Sequence, residues 1–207
     1  MARYTGAVCR LCRRERMKLF LKGTKCDTMK CPIERRPYPP GMNGRGRVRE
    51  SEYLMQLREK QKARRIYGLL ERQFRNLYDE ASTREGITGE NLLRFLELRI
   101  DNVVFRTGFA SSRNQARQLV RHGHVRVNGT RVTIPSYRVR KDDVIELSPK
   151  AKKMIVIRHN IDTLGRQAPP WLDVDPSAHK ATVYDLPLRE QIEVPVREQL
   201  IVELYSK

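Results

Sequence analysis

The sequence predicts an α+β fold: a mainly helical domain with a helix-plus-β-hairpin domain inserted into it, preceded by an extended N-terminal arm. Three observations predict it. Apolar residues recur at helical spacing between Ser51 and Val104. The pattern then switches to alternation around Asn128-Gly129, a strong hairpin signal because both central residues of such a turn need positive φ. The first fifty residues are basic, short of apolar periodicity, and contain all four cysteines. The expected boundaries are 1–50 for the arm, 51–95 with 196–207 for the helical domain, and 96–195 for the inserted domain.

The arm pairs Cys9-x-x-Cys12 with Cys26-x4-Cys31. Four thiolates in two close pairs suit a tetrahedral metal such as zinc. The intervening RRERMKLFLKGTK is long enough to fold back and bring the pairs together, and Arg10, Arg13, Arg14, Lys25 and Lys30 favour thiolates. An iron–sulfur cluster is the alternative, since thiolates alone do not separate the two. Four sulfur ligands close the coordination sphere, so the metal is expected to be structural. The stretch ERRPYPPGMNGRGRVRES, with three prolines and three glycines, reads as extended and coreless. It is either a linker or an arm lying on a polyanion, with Arg35, Arg36, Arg45, Arg47 and Arg49 toward phosphates and Tyr38 stacked on a base or packed on the prolines.

Ser51 is placed to cap the helix SEYLMQLREKQKARRIYG. Lys60, Lys62, Arg64 and Arg65 make its second half basic, and Gly68 breaks it. The next helix buries Leu70, Phe74, Leu77, Tyr78 and Ala81 and leaves Arg72 and Arg75 off that stripe. Residues 82–91 read as a loop. Leu93, Leu96, Ile100, Val103 and Val104 then read as one helix that Gly108 ends.

Ser111 or Ser112 caps a further helix with Ala116, Leu119 and Val120 on its buried face. Arg113, Arg117 and Arg121 fall four apart and are expected to line an exposed face, so that truncating Arg117 leaves stability nearly unchanged. Gly123 stops the helix. Val125 and Val127 point in and Arg126 out; Lys141-Asp142-Asp143 is another turn before a strand at 144–147. The solvent face carries Arg113, Arg117, Arg121, His122, His124, Arg126 and Arg131. From Ser111 to Arg140 there are seven arginines and no acid. A merely soluble surface mixes signs, so this face reads as a phosphate-binding one. Residues 151–162 are ambiguous between helix and strand. Trp171 reads as a packing residue at the domain edge, and Leu200, Ile201, Leu204 and Tyr205 as a closing helix docked on the residue 51–95 helices.

A net charge of +18 and a pI near 10.2 point to a polyanionic partner. From Asn160 onward five Lys or Arg face eight Asp or Glu, so the last part carries −3 and the rest +21. That end is expected to pack on the body or meet protein partners. No apolar run approaches the ~20 residues of a membrane span, and the start lacks an apolar signal region. A soluble cytosolic protein is the expectation, with no membrane and no homo-oligomer required.

SSRNQARQLVRHGHVRVNGTRV followed by PSYRV resembles the RNA-binding module named after the fourth protein of the bacterial small ribosomal subunit, at about residues 97–160. Together with CRLC and the later cysteines, RRPYPPG, LREKQKARRIYG, ERQFRN, LELRIDNVVFRTGFA and the REQLIVELYSK ending, it resembles that ribosomal protein family over the full length, in its cysteine-bearing form. The resemblance implies a non-catalytic protein that binds small-subunit ribosomal RNA directly. It further implies nucleation of subunit assembly and a role in accuracy through small-subunit proteins five and twelve. It implies lining the path of incoming messenger RNA with protein three. Where the family usually has His after PPGx, this chain has Asn43. The expected RNA contacts are Arg3, Tyr4, Arg10, Arg13, Arg35, Arg36, Tyr38, Asn43, Arg45 and Arg47 in the arm, and Lys60, Lys62, Arg64, Arg65, Tyr67, Arg72 and Arg75 in the helical domain. In the module they are Arg113, Gln115, Arg117, Gln118, Arg121, His122, His124, Asn128, Arg131 and Arg138.

Two other function classes were weighed. An RNA-modifying enzyme with the same module needs an acid, base or nucleophile in a pocket, and Asp101, Asp142 and Asp143 have plain structural readings at a helix and a turn. A zinc-dependent DNA-binding regulator needs a recognition helix, which the cysteine segment lacks.

Overall fold

The computed structural model describes residues 3–46 and 49–207. The chain forms two compact units, Met1–Leu92 with Val194–Lys207, and Leu93–Glu193.

In the first unit the N-terminal segment is folded where an extended arm is expected. It carries α1 (Cys9–Glu15), a 3-10 turn at Gly23–Cys26 and α2 (Pro32–Arg35), with Cys12, Leu19, Leu21, Cys26, Cys31 and Ile33 buried. The apolar positions are few and irregularly spaced, so periodicity does not reveal them. Glu15 at the end of α1 anchors the segment: its carboxylate pairs with Arg58 at 3.4 Å and with Arg65, both on α3 (Glu52–Ile66). Ser51 caps α3, its Oγ accepting from the Leu54 N–H at 3.3 Å. Gly68, at φ +67°, turns the chain into α4 (Glu71–Ser82), which buries Phe74, Tyr78 and Ala81. The closing helix α10 (Glu198–Tyr205) packs on α3, and the Tyr205 ring lies 4.5 Å from that of Tyr78. Glu71 ties this corner together by accepting from Lys60 at 2.6 Å and Tyr205 at 2.9 Å. Burial pulls the Glu71 pKa up, but those two hydrogen bonds outweigh it and hold the carboxyl below its ordinary value.

Helix α5 (Thr88–Glu97) carries the chain from the first unit into the second, beginning inside the stretch expected to be loop. Gly89 sits within it because a Cβ there would lie 2.7 Å from Glu198 Cγ, so only glycine admits the start of α10 so close.

The second unit opens with a break. One continuous helix is expected to Gly108; instead α5 ends at Glu97 and α6 runs Ile100–Arg106. Between them the backbone of Leu98 and Arg99 pairs with the 137–139 segment: Ile100 N–H donates to Tyr137 O at 2.8 Å and Val139 N–H to Leu98 O at 2.9 Å. The apolar spacing conceals this because Leu96, Ile100, Val103 and Val104 are buried on both sides of the break. Gly108, at φ +80°, leads on to α7 (Arg113–Arg121), capped by Ser112, whose Oγ accepts from Gln115 N–H at 3.3 Å.

The hairpin forms as its turn residues dictate. Asn128 and Gly129 adopt φ of +49° and +78° between β1 (Val125–Val127) and β2 (Thr130–Val132). Then come β3 (Val144–Leu147), α8 (Pro149–Lys152), α9 (Ile155–Leu164), β4 (Leu172–Asp175) and β5 (Lys180–Val183). The ambiguous 151–162 stretch is thus helical, started by a Ser148 cap and Pro149. All five strands join one antiparallel sheet in the order β2-β1-β3-β5-β4. Trp171 is 1% exposed, inside the core formed by α6, α7 and the sheet rather than at its edge.

Leu119, in that core, sits under the exposed end of α7. Leu119→Ala is expected to cost about 2–5 kcal/mol, read as a lower urea midpoint with an unchanged denaturant slope.

Candidate nucleic-acid interface

The basic residues divide into those the fold consumes and those it leaves facing solvent. The arginines of α7 show the division most clearly. Arg117 is 4% exposed, and its guanidinium donates to Asp101 Oδ2 at 3.1 Å. Arg99 grips the same carboxylate with bonds of 3.1 and 2.9 Å. The expectation that Arg117 lies on an exposed face is therefore overturned. Spacing of four put it in line with Arg121, but the buried acid on α6 draws it inward. Arg113 is half-buried, donating from Nε to Asn102 Oδ1 at 2.8 Å and lying over the Phe105 ring at 4.4 Å. Only Arg121 of the three is exposed.

Other expected contacts are likewise engaged in the fold. Gln115 Oε1 accepts from Ser111 N–H at 2.6 Å and from Asn160 Nδ2 at 3.2 Å. The Asn128 amide donates to Asp143 at 2.8 Å and accepts from Val144 N–H at 2.9 Å, locking the hairpin to β3. Arg138 lies over Phe95 at 4.5 Å. On α3, Lys60 is 8% exposed and bound to Glu71; Lys62 pairs with Glu59 at 2.5 Å, Arg64 with Glu71 at 3.3 Å and Arg65 with Glu15. Tyr67 is buried. These α3 side chains are among the expected RNA contacts, and the fold engages them. The acids that neutralise them come from α1 and from the start of α4, as well as from α3 itself.

Arg121, His122, Arg126 and Arg131 stay on the surface of the second unit, with Gln118 exposed beside them and His124 half-buried. Arg126 and Arg131 face each other directly across β1 and β2. Like charges so placed repel, and an anion between them relieves that repulsion. Exposed Arg140 and Lys150, absent from the expected set, belong to the same unit. Arg140 was legible as a cation just before a turn, whereas Lys150 reads only as part of a helix start. In the first unit Arg3, Tyr4, Arg10, Arg35, Arg36, Asn43, Arg72 and Arg75 are exposed. Arg47 lies outside the described residues. Tyr38 holds two cations: Arg13 lies 5.1 Å and Arg45 4.8 Å from its ring centre. Arg13 Nε also donates to the Tyr38 carbonyl at 3.0 Å, and Arg45 to its hydroxyl at 3.3 Å. That hydroxyl bond from Arg45 lowers the phenol's pKa. Tyr38 therefore serves as a seat for arginines.

The four cysteines converge. Cys9, Cys12, Cys26 and Cys31 line one small apolar cavity with Val8, Leu21, Pro32 and Ile33. Burial pushes the Cys12 thiol up, and the other three sulfurs push it further; Cys26 is raised by burial too, against a hydrogen bond from the Lys22 N–H at 3.3 Å. Among the described residues no group of three or more His, Cys, Asp or Glu side chains stands in an arrangement that would hold a metal ion. The thiols are brought to one place but not to coordination geometry. None of the helices among the described residues is long and apolar enough to cross a membrane.

Comparison with known proteins places these features in context. A family model for the ribosomal protein S4/S9 N-terminal domain matches residues 3–97, and one for the S4 domain matches residues 98–145. Over 208 residues, spanning both chains completely, the sequence is 63% identical to small ribosomal subunit protein uS4 of Acidothermus cellulolyticus. It is 60% identical to that of Frankia casuarinae and 59% to that of Anaeromyxobacter dehalogenans, again across both full lengths.

The division of the α7 arginines is directly measurable. Arg117→Ala is expected to lower stability by about 1–3 kcal/mol, since Arg99 still pairs Asp101. Arg121→Ala is expected to stay within about 0.5 kcal/mol of the parent. Chemical denaturation of both variants decides it; equal stabilities would mean that the Asp101 contact carries no net energy.

Proposed function

The chain belongs to the family of small ribosomal subunit protein uS4, and from that premise we propose that it nucleates assembly of the subunit body and contributes to the accuracy of translation. It is a structural constituent of the small subunit and binds ribosomal RNA; it is not an enzyme, and it works in the cytoplasmic ribosome. The acids weighed as catalytic fit that reading: Asp101 is held by two arginines, and Asp143 accepts from Asn128 and from the Arg140 N–H at 2.7 Å. Contacts with small-subunit proteins five, twelve and three, and with messenger RNA where it enters the subunit, are the proposed finer partners. Neither a membrane nor a second copy is required.

The observation that carries the RNA reading is the opposed pair Arg126–Arg131 beside Arg121, exposed at one end of the sheet. A rigid hairpin holds two guanidinium forks at fixed spacing, and such forks suit phosphate oxygens. A-form RNA hides its base edges in a deep groove, so a folded RNA is read by shape and backbone. Dispersed arginines in both units suit that mode. Arg3, Arg10, Arg35, Arg36, Arg72 and Arg75 are proposed as further backbone contacts.

Zinc is the proposed metal, held by Cys9, Cys12, Cys26 and Cys31, with an iron–sulfur cluster as the alternative. The donor chemistry fits. Three buried thiols and the half-buried Cys9 line one cavity, and their mutual repulsion as thiolates calls for a cation. When bound, zinc would cross-link the loops of residues 9–31. The protein's own part is to gather the sulfurs on α1, the 3-10 turn and the start of α2, and to offer the Lys22 N–H to Cys26.

Two measurements test these readings. Affinity for small-subunit ribosomal RNA is expected to fall steeply with salt, with a log–log slope of about −4 or steeper for roughly six phosphate contacts. A nearly flat slope contradicts a phosphate-dominated interface. Protein made with zinc supplied is expected to carry about one metal ion per chain by elemental analysis, the stoichiometry of a four-thiolate site. Cys9→Ser with Cys12→Ser should release it, loosening the N-terminal segment while residues 93–193 stay folded. Metal-free wild-type protein would rule the site out.

A further inference from the structure

His122 and His124 flank Gly123, where α7 gives way to β1. Their rings lie 6.1 Å apart. Gly123 adopts φ +72°, and a Cβ there would sit 1.9 Å from Arg131 Nε. The guanidinium from β2 therefore lies across the glycine, donating to the His122 carbonyl at 3.3 Å. Two imidazoles and an arginine thus converge at the C-terminal end of α7. Arg121 contributes from the last turn of that helix, Arg126 from β1 opposite Arg131, and Lys150 from α8. Glu146, opposite Arg126 on β3, is the acid at that register, and it takes Lys180 at 3.4 Å. Among the described residues no carboxylate forms an ion pair with His122, His124, Arg126 or Arg131.

We propose that His124, with the His122 ring beside it, grips the RNA backbone as an imidazolium ion, taking up a proton from solvent as a phosphate arrives. The inference rests on the RNA-binding reading above. In the free protein, burial, then the positive charges of His122, Arg131 and Lys150, hold the His124 imidazole below its ordinary value. A phosphodiester is anionic throughout this range and reverses the sign of the local field, so the charged imidazole becomes the favoured form beside it. The phosphodiester keeps its charge and the His124 imidazole gains one proton, so the step balances. The neighbouring arginines and Lys150 remain charged in both states.

The direction of the pH effect follows from linkage. Binding takes up a proton, so affinity rises as pH falls from about 8 toward 6, and levels off once His124 is charged in the free protein. The stability of the free fold runs the other way. A histidine whose pKa is depressed by folding costs stability as pH falls through its unfolded value of about 6.5. His124 therefore favours the RNA-bound state most where it favours the free state least.

The test is filter binding of the full chain to a transcript of complete small-subunit ribosomal RNA, from pH 6 to pH 8 at fixed ionic strength. Wild type is expected to bind roughly tenfold tighter at pH 6 than at pH 8, as one proton is taken up over part of that window. His124→Gln should bind more weakly than wild type at pH 6 and lose the pH dependence. If His124→Gln keeps the wild-type slope, or wild type has none, proton uptake at His124 is wrong. Arg126→Ala with Arg131→Ala, run in parallel, reports on the underlying interface. Unchanged affinity at both pH values overturns the RNA reading of this face together with the inference. Lost affinity alongside an undiminished slope in the histidine variant overturns proton uptake alone.

Discussion

The carboxylate of Asp101, buried between two guanidinium groups, is the contact on which the arrangement of residues 93–193 depends. Arg99 reaches it from the extended break before α6, and Arg117 from the middle of α7. The backbone N–H of Asp101 donates to Pro135 O at 3.4 Å, so the 134–139 segment is drawn in as well. Taking these charges out of water costs several kcal/mol per ion, which mutual attraction repays only when geometry and hydrogen bonding are good. Here the acid has a bidentate partner and a second donor. The result sets α7 against α6, and so decides which face of α7 meets solvent. Glu97 repeats the device one turn earlier: it is 1% exposed, paired with Arg106 at 2.9 Å and accepting from Asn102 at 2.7 Å.

This explains why a chain with 42 lysines and arginines does not simply present a cationic surface. Its acids are spent on chosen partners. Glu15, Glu59 and Glu71 absorb the basic half of α3, while Asp101 and Glu97 absorb Arg99, Arg106 and Arg117. Burial raises the Glu15 pKa, but Arg65 and Arg58 pull against it, so the cost of burying the acid is shared across α1 and α3. Cations beyond the reach of these acids, Arg121, Arg126 and Arg131 among them, stay exposed. The sheet shows the boundary in one row: Arg131, Arg126, Glu146, Lys180 and Asp175 are successive partners across the five strands. Positive charge is uncompensated at the hairpin end, and signs alternate toward β4. That polarity confines the uncompensated cations of this row to the hairpin side.

Much of this was legible in the residue pattern. The Ser51 cap, the α4 stripe, the Asn128-Gly129 turn and the closing helix against Tyr78 follow from local rules of capping, period and turn chemistry, and the structure contains each. The excess of arginine over acid between Ser111 and Arg140 correctly located the region with exposed cations. The convergence of the cysteines on one cavity also follows from their spacing. For the cap, the stripe and the turn the determining contacts lie within a few residues of one another.

Other features depend on residues far apart in sequence, and local pattern does not reach them. Apolar periodicity ran straight through Leu98 and Arg99, because the break there is made by backbone partners about forty residues later. Spacing of four aligned Arg117 with Arg121, yet the acid that buries Arg117 stands sixteen residues earlier on another helix. Arg65, at the end of the basic run on α3, is neutralised by Glu15, fifty residues away. The sequence by itself determined the elements, the turn chemistry and the sign of the surface, since these are set by local sterics and composition. Which arginines remain for a partner was decided only in the tertiary structure, where a buried carboxylate must find its counter-charge wherever folding brings one near.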